Sequence, residues 1–233
     1  MPMNATRFWS IIPAAGSGRR MQSSRPKQYL SLRGHFILDL AVDCLMNTSP
    51  LSGCVVAITP GDPLWCETKA SRDQRVSSCD GGRERADSVL AALETLKGQA
   101  DEDDWVLVHD AARPCLHPKD LSRLRSELLL HEVGGLLAAP VADTLKKAGS
   151  DQEIIETVDR SHLWRALTPQ MFRYGILRGA LQSALEAGRS ITDEASAVEQ
   201  AGYFPAIVEG RPDNIKITVP ADLALAEFVL SRF

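Results

Sequence analysis

Short apolar runs alternate with amphipathic stretches along this chain, and that alternation restricts the fold more than any other feature. Phe8-Trp9-Ser10-Ile11-Ile12, Cys54-Val55-Val56-Ala57-Ile58 and Trp105-Val106-Leu107-Val108 read as buried strands, and Arg75-Val76-Ser77-Ser78 as a weaker one. Residues 35–46, 83–96 and 118–131 place Leu, Val and Phe at helical spacing and read as helices. Strands separated by helices imply an α/β fold: a Rossmann-like, mostly parallel sheet with helices on both faces. The 233 residues suffice for one substantial core, so a single domain over 1–233 is expected. Such sheets bind ligands beyond the carboxyl ends of their strands. The segment after residue 12, Gly81-Gly82 and His109-Asp110 all fall at that edge.

The first of these segments carries the chemistry. Pro13-Ala14-Ala15-Gly16-Ser17-Gly18-Arg19-Arg20-Met21 follows the first strand, and Pro26-Lys27-Gln28 comes shortly after. Small residues let backbone N–H groups approach a phosphate, and Arg20 and Lys27 match its charge. Two familiar phosphate loops do not fit. A P-loop needs Lys and then Ser or Thr after its last glycine, whereas Arg19 and Arg20 follow Gly18. A dinucleotide fingerprint needs a third glycine where Met21 stands.

The remaining composition mainly excludes. A formal net charge of −4 supplies no basic field, so nucleic acid is not an expected partner. No apolar run approaches the ~20 residues of a bilayer span, and no secretory signal is visible, which makes a cytoplasmic enzyme the expectation. Five cysteines without a C-x-x-C pair read as buried reduced thiols, and the five histidines lack metal-ligand spacing.

Residues 142–162 break the alternation. Thr144-Leu145-Lys146-Lys147 and Ile154-Ile155-Glu156-Thr157-Val158 flank Ala148-Gly149-Ser150-Asp151 and read as an inserted β-hairpin arm. A lone hairpin is marginal in water, so the arm is expected to pack against a second copy of the chain in a homodimer; the other reading is a mobile, solvated hairpin. From Phe172 onward helices are expected, closing with 220–233.

Taken in order, the loop segment 13–27, Asp80-Gly81-Gly82-Arg83-Glu84-Arg85-Ala86-Asp87-Ser88-Val89, His109-Asp110-Ala111-Ala112-Arg113-Pro114, Thr157-Val158-Asp159-Arg160, Thr168-Pro169-Gln170, Thr192-Asp193-Glu194-Ala195-Ser196 and Asp213-Asn214-Ile215-Lys216 resemble the 2-C-methyl-D-erythritol 4-phosphate cytidylyltransferases. The resemblance runs from about residue 8 to the C-terminus. It implies transfer of CMP from CTP to methylerythritol phosphate with release of pyrophosphate. Under it, Ala14, Ala15, Gly16 and Gly18 would cradle the triphosphate, and Arg20 and Lys27 would be catalytic. Gly82, Arg85 and Ser88 would form the nucleotide pocket, with backbone near Ala14 and Gly82 reading the cytosine edge. Asp110, assisted by Asp213, would hold Mg²⁺. Lys216 would sit between nucleotide and acceptor. Arg113, Thr144, Arg160, Thr168 and Thr192 would receive the acceptor, Arg160 across the dimer.

Other readings stay beside these. Arg19 reads as a solvated neighbour of Arg20, His109 as a packing or orienting residue, and Glu194 as a first-turn helix acid. Trp105 and Trp164 read as core or interface residues. A ribitol-5-phosphate cytidylyltransferase shares the nucleotide half, and a non-catalytic nucleotide-binding protein could share the fold.

Overall fold

The computed structural model describes residues 6–233 apart from Ser17, Gln22, Ser24 and Ser49, and of Arg19 the backbone alone; the reading of its side chain lies outside the described residues. Strand β1 (Phe8–Pro13) leads into the loop and two short 3₁₀ turns, Arg19–Met21 and Lys27–Tyr29. A two-stranded ribbon, β2 (Ser31–Leu32) and β3 (His35–Phe36), takes the start of the expected first helix, so α1 covers Ile37–Met46. Then come β4 (Gly53–Ile58), β5 (Val76–Asp80), α2 (Arg85–Thr95), β6 (Trp105–Val108), α3 (Pro118–Leu128) and β7 (Gly134–Pro140). The arm is β8 (Leu145–Ala148) and β9 (Ile154–Val158). The chain ends with β10 (Trp164–Arg173), α4 (Tyr174–Glu186), α5 (Glu194–Gln200), β11 (Ala206–Glu209) and α6 (Ala221–Leu230).

Seven strands form the main sheet in the order β11-β7-β10-β6-β1-β4-β5. β6, β1, β4 and β5 are mutually parallel, as are β11 and β7, while β10 runs antiparallel to both of its neighbours. The sheet is therefore mostly parallel, with one reversed strand near its middle.

Burial on both faces explains why the central strands are continuous apolar runs. Ile12, Val56 and Leu107 point to a core shared with Leu38, Leu45, Leu121 and Leu124 of α1 and α3. Their neighbours Ile11, Val55 and Val106 point the other way, onto Val89, Leu93, Leu177 and Val198 of α2, α4 and α5. A third cluster joins Met21, Cys115 and Ile217 to Ala226 and Val229 of α6. Through it, α6 fixes the end of the first loop against the segment that carries Lys216.

The arm is a separate antiparallel pair, with Leu145 opposite Val158. Ile154 and Ile155 on it are 65% and 62% exposed, so neither side chain is covered within one chain. Trp105 is fully buried, as a core residue should be, and Trp164 is part-exposed beside the arm.

Candidate active site

One cleft opens at the carboxyl ends of β1, β5 and β6. Its walls include Ala14, Ala15, Gly16, Lys27, Gly82, Arg85, Ser88, Asp110 and Lys216. Residues as far apart in sequence as Ala14 and Lys216 meet there because parallel strands deliver their loops to a common edge. A second pocket adjoins the cleft across Arg85, Asp110 and Lys216, and adds Arg113, Thr168, Thr192 and Asp193. The site thus has a cleft and a neighbouring pocket with three residues in common.

The two glycine loops are built by close approach. A Cβ on Gly81 would stand 2.5 Å from that of Ala15, so the second loop can lie against the first only without a side chain. Gly18 has φ +62°, and a Cβ there would stand 2.8 Å from Lys27 Cγ. The loop therefore lies directly on the Lys27 stem.

Several backbone groups already have partners. Ala14 N–H donates to Ala57 O at 2.7 Å, and Ala14 O accepts from Gln28 Nε2 at 2.6 Å. Gly82 N–H donates to Ser88 Oγ at 3.1 Å, and that hydroxyl donates to Glu84 O. Ala14 thus has both backbone groups engaged and Gly82 its N–H, and Ser88 shapes the loop with a hydroxyl that is already engaged. Ala15 and Gly16 N–H have no intramolecular acceptor among the described residues. The buried Gln28, which the sequence reading passed over, is the brace beneath Ala14.

Asp110 is the electrostatic centre. Its Oδ1 accepts from Arg85 Nε at 3.0 Å, and its Oδ2 faces Lys216 Nζ at 2.9 Å and Arg113 Nε at 3.3 Å. Burial alone would push the carboxyl up; the three cations overrule it and hold it well below the usual carboxylate range. Arg85 is shared: Nη1 and Nη2 bond both oxygens of buried Glu194 at 2.5 and 3.0 Å. Lys27 is half-buried, with Nζ 3.4 Å from Ile217 O. Burial and then the nearby Lys216 lower its ammonium pKa, while Asp110 opposes them. Arg20 is exposed in the turn after Gly18 and lines neither pocket, and its charge also lowers the Lys27 pKa.

His109 proves to be an orienting residue. Asp110 N–H donates to Thr168 Oγ1 at 3.1 Å, the Thr168 hydroxyl donates to His109 Nδ1 at 2.8 Å, and His109 Nε2–H donates to Arg113 O at 2.9 Å. Asn214 adds a strap: Nδ2 donates to Thr168 O and its own carbonyl accepts from Arg113 Nη1, both at 2.7 Å. Thr168 lines the second pocket, but its hydroxyl is committed to the protein, so it positions Asp110 rather than offering a hydroxyl to a ligand. Replacing Thr168 with Val is expected to lower unfolding free energy by about 1–3 kcal/mol by orphaning the buried Asp110 N–H. Thr168→Ser should retain most of it, as urea unfolding can check.

Burial pushes the His109 pKa from 6.5 down to about 4. The unfolded chain then binds the extra proton, so this contribution to stability is complete above pH ~6.5 and is lost as pH falls from there to about 4. Its size is about 3 kcal/mol. His109→Asn should flatten that part of the stability–pH curve, and parallel curves for the two proteins would contradict the assignment.

Five expected residues line neither pocket: Gly18 and Arg20 in the loop after β1, and Thr144, Arg160 and Asp213. Thr144 and Arg160 are exposed on the arm and line neither pocket, and Arg160 donates to Ala142 O within its own chain. Asp213 also stays outside both linings, because Arg211 holds both of its oxygens, through Nε at 2.9 Å and through Nη2. The structure therefore does not bring Asp213 to Asp110.

The described chain from residue 8 to 232 matches the family model described as IspD: 2-C-methyl-D-erythritol 4-phosphate cytidylyltransferase. A protein of that name from Pseudomonas entomophila is 55% identical over 217 residues, covering 93% of this chain and 92% of the relative. One from Ectopseudomonas mendocina is 54% identical over 221 residues, or 94% of each. Among solved structures, a 4-diphosphocytidyl-2C-methyl-D-erythritol synthase superposes with a TM-score of 0.84 at 38% identity, covering 97% of this chain and 99% of that one. The Francisella tularensis 2-C-methyl-D-erythritol 4-phosphate cytidylyltransferase gives 0.82 at 34%, over 96% and 100%.

Proposed function

This chain belongs to the 2-C-methyl-D-erythritol 4-phosphate cytidylyltransferase family, and from that premise we propose how its cleft moves CMP from CTP to methylerythritol phosphate. The observation that carries the reading is the convergence of Lys27, Arg85, Asp110 and Lys216 on one cleft beside a second, polar pocket. The nucleophile is an acceptor phosphate oxygen, already ionised at neutral pH, so no general base is required. It attacks the α-phosphorus; the bond from that phosphorus to the bridging oxygen breaks, and pyrophosphate leaves. The barrier is the approach of two polyanions, and the chain's task is to position them and neutralise charge.

Ala15, Gly16 and Gly18 cradle the triphosphate with backbone N–H groups, and backbone near Ala14 and Gly82 reads the cytosine edge. Lys27 and Arg20 hold charge that develops around the α-phosphorus. Lys216, shared by the two pockets, faces both substrates. Arg113 and Thr192 line the acceptor pocket. Asp110 fits Mg²⁺: it is an ionised hard-oxygen donor at the cleft floor, and Mg²⁺ takes few protein carboxylates, completing its shell with phosphate oxygens and water. When bound, the metal would neutralise phosphate charge. Lys216, Arg85 and Arg113 supply positive charge to that carboxylate in the protein alone.

The arm supports a homodimer. Its exposed Ile154 and Ile155 call for a covering surface, and Arg160 at its base would then reach the acceptor phosphate of a neighbouring protomer. The test of the acceptor is direct. With CTP and Mg²⁺, methylerythritol phosphate should be turned over and ribitol 5-phosphate should not. Equal turnover of the two would overturn the choice, and a monomeric variant with full acceptor affinity would remove Arg160 from the site. No helix among the described residues is long and apolar enough to cross a membrane.

A further inference from the structure

Glu194 has a larger part than that of a first-turn acid. It is the first residue of α5, yet its side chain is only 1% exposed, turned away from solvent into the protein. Asp193, the residue before it, already caps the helix by accepting from Ser196 N–H, so the helix does not need Glu194 for that purpose. Both Glu194 oxygens are instead taken by Arg85, at 2.5 and 3.0 Å. This leaves Arg85 with Nε alone for Asp110.

The alternative geometry shows what that arrangement does. A guanidinium offers two parallel N–H groups to a carboxylate, and bidentate pairing is its strongest mode. Without Glu194, Arg85 is free to turn its fork onto Asp110, the other carboxylate within reach, and to compete with Lys216 and Arg113 for its oxygens. The same fixture also ties the two pockets together. Gln170 holds Asp193 through Nε2 at 2.9 Å and Ala195 N–H through Oε1 at 2.8 Å, so Thr192 and Asp193, which line the acceptor pocket, are braced beside Glu194 and through it joined to Arg85.

We propose that Glu194 is a positioning residue for the transfer: by holding both terminal nitrogens of Arg85 it limits that side chain to one bond with Asp110 and sets the acceptor wall against the nucleotide cleft. The inference rests on the transfer reaction proposed above.

Glu194→Gln separates positioning from simple charge. Removing a negative charge near a triphosphate site should, by Coulomb's law alone, leave kcat intact and lower the KM for CTP. Positioning predicts a kcat lower by about 10–100-fold with the KM for CTP unchanged or reduced. It also predicts that Arg85→Ala/Glu194→Gln is no slower than Arg85→Ala, since Glu194 acts through Arg85. Wild-type kcat in Glu194→Gln, or single effects that multiply in the double variant, would overturn the inference. If Glu194→Gln does not fold by circular dichroism, Glu194→Asp carries the same test. It keeps the charge but is one methylene too short to hold both nitrogens, so an unchanged kcat there would likewise overturn it. Wild-type protein in the same assay distinguishes the two failures: no turnover by wild type sinks the reaction assignment, while wild-type turnover with an unaffected variant sinks only the role of Glu194.

Discussion

Replacing Asp110 with Asn should be the most damaging single change in the cleft, lowering both stability and turnover. Asp110 is the anion around which Arg85, Arg113 and Lys216 gather. Asn has nearly the same shape but no charge, and it turns an N–H donor toward groups that can only donate. Three cations would then repel one another around a buried neutral amide. Breaking a buried pair by removing one partner typically costs about 3–5 kcal/mol. For a chain of this size that corresponds to a fall in Tm of roughly 10 °C. Turnover should fall by at least ~10², measured well below the lowered Tm, because Lys216 and Arg85 lose the anchor that sets their positions. Thermal melts and steady-state kinetics together check this. A variant with wild-type Tm would show that the cations find equivalent partners.

Lys27→Ala should behave differently, losing rate with little loss of stability. Its stem lies under Gly18 and, among the described residues, its ammonium hydrogen-bonds Ile217 O alone, at 3.4 Å, so few folded-state contacts depend on it. Its cost should appear where charge develops at the α-phosphorus. A fall in kcat of about 10²–10³ is the scale for losing one transition-state donor. Because that interaction belongs to the transition state, kcat and kcat/KM should fall together, with the KM for CTP changing little. Lys27→Arg should not restore the rate, since a planar fork does not fit the place of a point charge beneath a tight loop. A raised KM with normal kcat would make Lys27 a binding residue only.

The contrast between these two variants reflects what was legible in the sequence. The loop after β1, the Gly81-Gly82 turn and Asp110 could be placed together because each follows a segment that reads as a strand, weakly so for 75–78, and parallel strands deposit such segments at one edge. The reversed strand β10 was not legible. Pro169 argues against a central strand, and it is accommodated by a register shift between Ala166 and Gln170, where the Thr168–Pro169 bond is cis. β7, Gly134–Pro140, opens with two glycines, and β11 is four residues long; neither carries an alternating signal.

The same limit applied to the site. Charged residues near glycines announced themselves, whereas the groups that hold them did not. Gln28 beneath Ala14, Asn214 between Thr168 and Arg113, and Glu194 behind Arg85 act through contacts across 14 to 109 positions. Only the fold creates those contacts. The Thr168 hydroxyl illustrates the point: a motif marks the residue, but the direction its hydroxyl takes depends on His109, just past the end of β6.

The central claim is that this cleft joins an acceptor phosphate to the α-phosphorus of CTP. Incubation with CTP labelled at the α-phosphate tests it most directly, with product and pyrophosphate measured in the same reaction. The predicted result is transfer of the label to methylerythritol phosphate with one pyrophosphate released per transfer, and neither product when the acceptor is omitted. Pyrophosphate released at the same rate without the acceptor, or label remaining in CTP when both substrates are present, would contradict it.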